Sequence, residues 1–192
     1  AVFCIPAQTA DIMPTVLEMS GQAIPKDVTG RSLVPVLSLD DKKRDSLIFG
    51  YFGAAVNVSD GRYSYFHYPE VCAAENLFEY TLMPTRMTTR FSISELLDAT
   101  LHPSFSFTKG VPVLKLDPKT DDAGQPVEVQ GMGFEDWRSA LYDLDTDPRQ
   151  TTPLNRPEIE MHLCQQIVEN MARLDAPYEA YRRFGLQAVG ES

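Results

Sequence analysis

Asp143, Asp145 and Asp147 alternate in the way that opens an EF-hand calcium loop. Such a loop also requires Gly at its sixth place and a bidentate Glu at its twelfth, where this chain has Pro148 and Leu154. The three carboxylates therefore read as a turn after a strand, and no metal ligand is assigned. His67, His102 and His162 are scattered: late in a hairpin, before a proline in a loop, and within a helix. Isolated histidines of this kind read as structural or surface groups rather than as ligands or bases. No serine is framed as a nucleophile elbow, and no Gly-rich phosphate loop is present. Cys4, Cys72 and Cys164 are odd in number and widely spaced, so they read as unpaired buried thiols. Asn57-Val58-Ser59 matches a glycosylation sequon but falls in a strand. No catalytic residue emerges.

The composition bounds what such residues could serve. A chain of 192 residues with 43% hydrophobic and 23% charged residues has enough apolar material for a core. Its net charge of −10 and pI near 4.7 disfavour nucleic acid as a partner. The same charge repels sulfated or phosphorylated molecules, so an anion site here needs a local basic cluster. No apolar run approaches the roughly 20 residues that span a membrane. The opening Ala1-Val2-Phe3-Cys4-Ile5-Pro6 has no basic start and reads as a chain entered in mid-strand, not as a signal peptide.

The elements follow from periodicity and punctuation. Residues 1–7 read as a strand and turn. Thr9 or Asp11 caps a short helix with Pro14 in its first turn and Gly21 after its end. Ile12, Val16 and Met19, joined by Met13 and Leu17, give that helix an apolar stripe expected to pack on a sheet. Ser32 and Pro35 open a second brief turn, and residues 40–45 read as a solvated charged linker. Strands are expected at 47–52, 54–59 and 62–68. Asp60-Gly61 is expected to form a two-residue type I′ turn setting Val58 opposite Tyr63 and Val56 opposite Tyr65. Further strands are expected at 77–82, 111–116 and 140–144. Ser92-Ile93-Ser94-Glu95 fits a capping box ahead of a stripe of Ile93, Leu96, Leu97 and Leu101. Asn155 is expected to cap a last long helix in which Ile159, Leu163, Ile167, Met171 and Leu174 recur, followed by a short helix over 178–184. The expected fold is α+β: a strand–helix leader, then a small antiparallel sheet of about four strands against a long C-terminal helix.

The order of these pieces resembles the C-terminal portion of sulfatases of the alkaline phosphatase superfamily. Gln8-Thr9-Ala10-Asp11-Ile12-Met13-Pro14-Thr15-Val16-Leu17-Glu18 is similar to the late helix of the family's large domain. Gly30-Arg31-Ser32-Leu33-Val34-Pro35-Val36-Leu37 is similar to its Gly-Arg-Ser-Leu stretch, and Asn57-Val58-Ser59-Asp60-Gly61-Arg62-Tyr63 to its hairpin. Leu141-Tyr142-Asp143-Leu144-Asp145-Thr146-Asp147-Pro148 resembles its Leu-Tyr-Asp-Leu strand and turn. Glu79-Tyr80-Thr81-Leu82-Met83-Pro84-Thr85 and Phe107-Thr108-Lys109-Gly110-Val111-Pro112 resemble segments of a bacterial branch. Cys4-Ile5-Pro6-Ala7-Gln8 approaches the Cys-x-Pro-x-Arg signature that is oxidised to formylglycine. Gln8 stands in the arginine place, only three residues precede Cys4, and no Leu-Thr-Gly-Arg continuation follows. Cys4 thus reads as an ordinary strand residue.

The resemblance implies that residues 1–45 end a large α/β domain and that 46–192 form the C-terminal subdomain. It implies formylglycine and a divalent cation, calcium or magnesium, in the complete enzyme, with nucleophile and metal ligands all upstream. The implied partners are that upstream catalytic domain and a sulfated small molecule, with no nucleic acid or membrane; cytoplasm and periplasm stay equally open. The expected role is to complete the fold and shape one wall of the substrate pocket, this chain being inactive alone. Asn57, His102, Thr108 and Lys109 are the candidate rim contacts, Lys109 because a lysine beside Gly110 suits an anionic group. The same four read equally as ordinary loop and sheet polars. Two alternatives stand beside this one: a phosphatase, phosphodiesterase or phosphonate hydrolase of the same superfamily, and a stand-alone binding module.

Overall fold

The computed structural model describes residues 6–37, 44–70, 77–86, 89–118 and 138–188. Cys4, Cys72, the opening strand up to Ile5 and the loop at 120–125 lie outside the described residues. The leader folds around one carboxylate. Asp11 accepts hydrogen bonds from the backbone N–H groups of Gln8 and Arg31, both at 2.8 Å, and from both terminal nitrogens of Arg44 at 3.0 and 2.7 Å. Asp11 and Arg44 are 1% and 8% exposed, so this is a buried, bidentate ion pair. Arg44 is therefore not part of a solvated linker, as its charged neighbours suggested. Gly30 makes the arrangement possible: a Cβ added there would lie 1.9 Å from the Ala10 carbonyl oxygen.

Helix α1 (Ile12–Met19) follows this clamp, and α2 (Val34–Leu37) lies against it. Gly21, at φ +67°, closes α1: its N–H bonds Glu18 O, and Gln22 N–H bonds Leu17 O at 2.8 Å. The expected packing of the stripe on a sheet does not occur. Ile12, Met13, Val16 and Met19 are 60, 51, 55 and 71% exposed, because Asp11 and Pro14 turn the opposite side inward.

Strands β1 (Leu47–Gly50), β2 (Val56–Ser59), β3 (Tyr63–His67) and β7 (Ala140–Asp143) form an antiparallel sheet in the order β1-β2-β3-β7. The hairpin register differs from the expected one by two residues: Val58 pairs with Tyr65 and Val56 with His67. The Asp60 carboxylate accepts from the N–H groups of Arg62 (2.9 Å) and Tyr63 (2.7 Å), which lengthens the loop beyond a two-residue turn. A shift of two keeps every side chain on its expected face. Helix α4 (Pro157–Arg173) covers one face, where Val58, Leu141, Leu163 and Ile167 are wholly buried with Tyr65 and Met171 around them. Its N-cap is Arg156, not Asn155, with Pro157 as the first helical residue. Gln8 ties the leader to the sheet edge, its Nε2 donating to Ile48 O at 2.7 Å.

A second antiparallel sheet, not foreseen as a separate layer, has the order β4-β6-β5 from β4 (Glu79–Thr81), β5 (Thr100–His102) and β6 (Val113–Leu116). The capping box forms at α3 (Ile93–Leu97), with Ser92 Oγ accepting from Glu95 N–H at 3.2 Å and Glu95 accepting from Ser92 N–H at 2.7 Å. Its stripe is again unburied, Ile93 and Leu97 being 80 and 78% exposed, and Leu101 belongs to β5 instead. Helix α5 (Tyr178–Arg183) closes the chain against both sheets.

Candidate functional site

The four rim candidates do not gather at one place. Asn57 lies on β2, on the face turned from α4, between Phe49 and Phe66 on the adjoining strands. It is 8% exposed, and its Oδ1 has no hydrogen-bond partner among the described residues. The other three lie around the second sheet. His102 ends β5 rather than lying in a loop, with its ring stacked on Phe105 at 5.0 Å and edge-on to Tyr80 at 5.1 Å. Its Nδ1 donates to Pro103 O at 2.8 Å. The Thr108 hydroxyl is buried and lies 3.0 Å from Phe105 O and 2.9 Å from Val111 O, so its single proton serves the turn. Lys109, in the left-handed region at φ +56°, pairs with Asp27 at 2.9 Å. It joins the leader to the second sheet.

The remaining groups singled out by type also have local tasks. Asp143 accepts from Arg62 at 3.1 Å and from Asp145 N–H at 3.0 Å, and the Arg62 hydrogen bond holds its carboxyl below the usual range. Asp147 accepts from the N–H groups of Thr151 (2.7 Å) and Thr152 (2.8 Å). These are turn contacts, as the failed calcium-loop pattern implied. His67 Nε2 bonds Phe184 O at 2.8 Å, and His162 lies on α4 beside Gln166. Among the described residues no group of three or more His, Cys, Asp or Glu gathers as a metal would require. They supply no ligand set for a divalent cation.

An apolar cleft of about 430 Å³ lies between the β1–β2 end of the first sheet, residues 77–80, and α5. Phe49, Tyr51, Phe52, Phe78, Tyr80 and Phe184 are its aromatic lining residues. At its base the Glu179 carboxylate accepts from both the Tyr80 hydroxyl and the Lys115 ammonium, and Lys115 sits 3.9 Å from the Phe78 ring centroid. Arg183 donates to Gly53 O at 2.7 Å, fixing the turn that follows β1. Burial opposes ionisation of Glu179, yet the Lys115 and Tyr80 bonds outweigh it and hold its pKa below the usual value. Burial, then the Glu179 contact, pushes the Tyr80 phenol upward. Both shifts lead away from neutrality, so neither group is poised there as an acid or base. Its aromatic residues come from separate segments; the expected strands at 47–52 and 77–82 contain five of them, but nothing local in the sequence brings those strands together.

No family model and no curated protein matches the sequence. Among solved structures, the chain is similar to one described as "Metabolism of multiple glycosaminoglycans by bacteroides thetaiotaomicron is orchestrated by a versatile core genetic locus (BT33494S-sulf)", with TM-score 0.48 and 16% identity. That match covers 91% of this chain and 28% of the other. A second, "Structure of BT4656 in complex with its substrate D-Glucosamine-2-N, 6-O-disulfate", gives TM-score 0.43 and 14% identity over 85% of this chain and 24% of that one. The chain thus spans about a quarter of each. At these identities and scores the likenesses assign no activity.

Proposed function

We propose that this chain is the C-terminal part of a sulfatase-type hydrolase, completing its fold and contributing a wall to its substrate pocket, with the nucleophile and metal ligands upstream. Residues 1–45 are read as the end of the large domain and 46–192 as the small subdomain. One observation carries the reading: the four segments that resemble the family fold as two interlocked pairs. Asp11 of the first segment grips Arg31 of the second, with Gly30 packed on Ala10. Arg62 of the third reaches Asp143 of the fourth, alongside the β3–β7 pairing. Residues that only marked punctuation in the sequence are the ones that make these contacts. At the pocket wall, Lys109 would exchange Asp27 for an anionic substrate group.

The test is an assay of the enzyme encoded when the reading frame is extended upstream, co-expressed with a formylglycine-generating enzyme. An aryl sulfate and the matching phosphate ester are compared. Hydrolysis of the sulfate, lost when the upstream signature cysteine is changed to alanine, is the expected result. Preference for the phosphate ester would shift the proposal to a phosphatase or phosphodiesterase of the same superfamily. Absence of any upstream hydrolase domain would overturn it.

A further inference from the structure

A small polar pocket of about 160 Å³ lies where the leader meets the C-terminal half of α4, lined by Arg31, Arg44, Ser46, Asn170 and Arg173 among others. Its buried part is made by Arg44, Ser46 and Asn170, which are 8, 6 and 7% exposed. Asn170 is fixed by its own bonds: Nδ2 donates to Ser46 Oγ and to Gln166 O, both at 2.8 Å. Its Oδ1 accepts from Arg173 Nη2 at 2.8 Å, which aims the Arg173 guanidinium. Arg44 spends both terminal nitrogens on Asp11 and leaves its buried Nε without a partner among the described residues. Arg31 uses its backbone N–H on Asp11, and its guanidinium enters no ion pair among the described residues.

Asp11 is paired with Arg44, and the guanidinium groups of Arg31 and Arg173 enter no ion pair among the described residues. Asp45 and Glu169 also line the pocket, but neither forms an ion pair with these arginines among the described residues, and Glu169 accepts from Gln165 at 3.2 Å. Burial first, then the positive charges of Arg31 and Arg44, lower the Arg173 pKa, against the opposing pull of Asp11. A group in that position is favoured by an added negative charge. The volume lies below the roughly 300 Å³ at which sites for drug-sized ligands begin, and guanidinium forks match the oxygens of a sulfate or phosphate.

We propose that Arg31 and Arg173 form a binding site for a small tetrahedral oxyanion, sulfate or phosphate, above the buried Asn170–Ser46–Arg44 base. The site does not depend on the hydrolase reading, since it uses no residue outside the described chain. The test is calorimetric titration of the 192-residue chain with sodium sulfate and with sodium phosphate, chloride being adjusted to hold ionic strength constant. Saturable one-to-one binding is expected, weakened about tenfold or more in Arg31→Gln and in Arg173→Gln. Arg149→Gln, on the exposed turn after β7 and outside this pocket, should leave it unchanged. Arg31 is exposed, so its variant stays folded even if Arg173→Gln does not. Binding that never saturates, or that is equal in the wild type and Arg31→Gln, would overturn the proposal. So would thermal stabilisation by sulfate that persists undiminished in both variants, since that is the signature of ion exclusion.

Discussion

Asp11 carries more of the leader than any other side chain. Its two oxygens accept two backbone and two guanidinium donors while it is 1% exposed. Burial opposes its ionisation, but Arg44, then the Arg31 and Gln8 N–H groups, hold its pKa below the ordinary value. Arg44→Met would leave a buried carboxylate facing only backbone donors, and a loss of about 3–5 kcal/mol is expected from urea unfolding. Gly30→Ala should disrupt the same junction through backbone overlap with Ala10, detectable as loss of protease resistance in the leader. In the sequence Asp11 was visible only as a possible helix cap. Its partner lies 33 positions away in a charged stretch that looked solvated, and no local pattern announces such a pair.

At the scale of elements, helix α4 was legible because its burial follows a single period. Leu163 and Ile167 are wholly buried against Val58 and Leu141, so Ile167→Ala should cost about 2–5 kcal/mol in a denaturant titration. The β2–β3 register was not legible, because the Asp60 side chain, rather than the Asp-Gly dipeptide alone, sets the loop length. Removing it in Asp60→Ala should cost about 1 kcal/mol. The capping box at α3 was read correctly, but the stripe behind it was not, since periodicity says which face is apolar and not what lies against it.

Glu95 adds a pH dependence to that element. The hydrogen bond from Arg86, helped by Ser92, lowers its pKa from 4.5 to about 2. A depressed folded pKa contributes stability that is fully present above pH 4.5 and is lost as the pH falls through about 2. The stability difference between wild type and Glu95→Gln should therefore be largest near neutrality and shrink across that interval. A difference that stays constant down to pH 2.5 would show that the Arg86 contact does not act through charge.

For the whole molecule, the α+β class and the four-stranded sheet under a long helix were legible from turn chemistry and periodicity. The second sheet was not, although two of its strands were expected, because strand pairing between distant short segments leaves no local trace. The aromatic cleft and the arginine pocket escaped for the same reason: each is assembled from residues far apart in the chain. The outward stripe of α1 is the feature that bears most directly on the proposed larger enzyme. Ile12, Val16 and Met19 lie along one side of the helix and are all more than half exposed. In the proposed enzyme this side packs on the rest of the large domain. The most direct test is light scattering on the purified chain across concentration, compared with Ile12→Ser/Val16→Ser/Met19→Ser. Concentration-dependent association that the triple variant abolishes is the predicted result. A wild-type chain that stays monomeric throughout would contradict the claim that this leader belongs to a larger body.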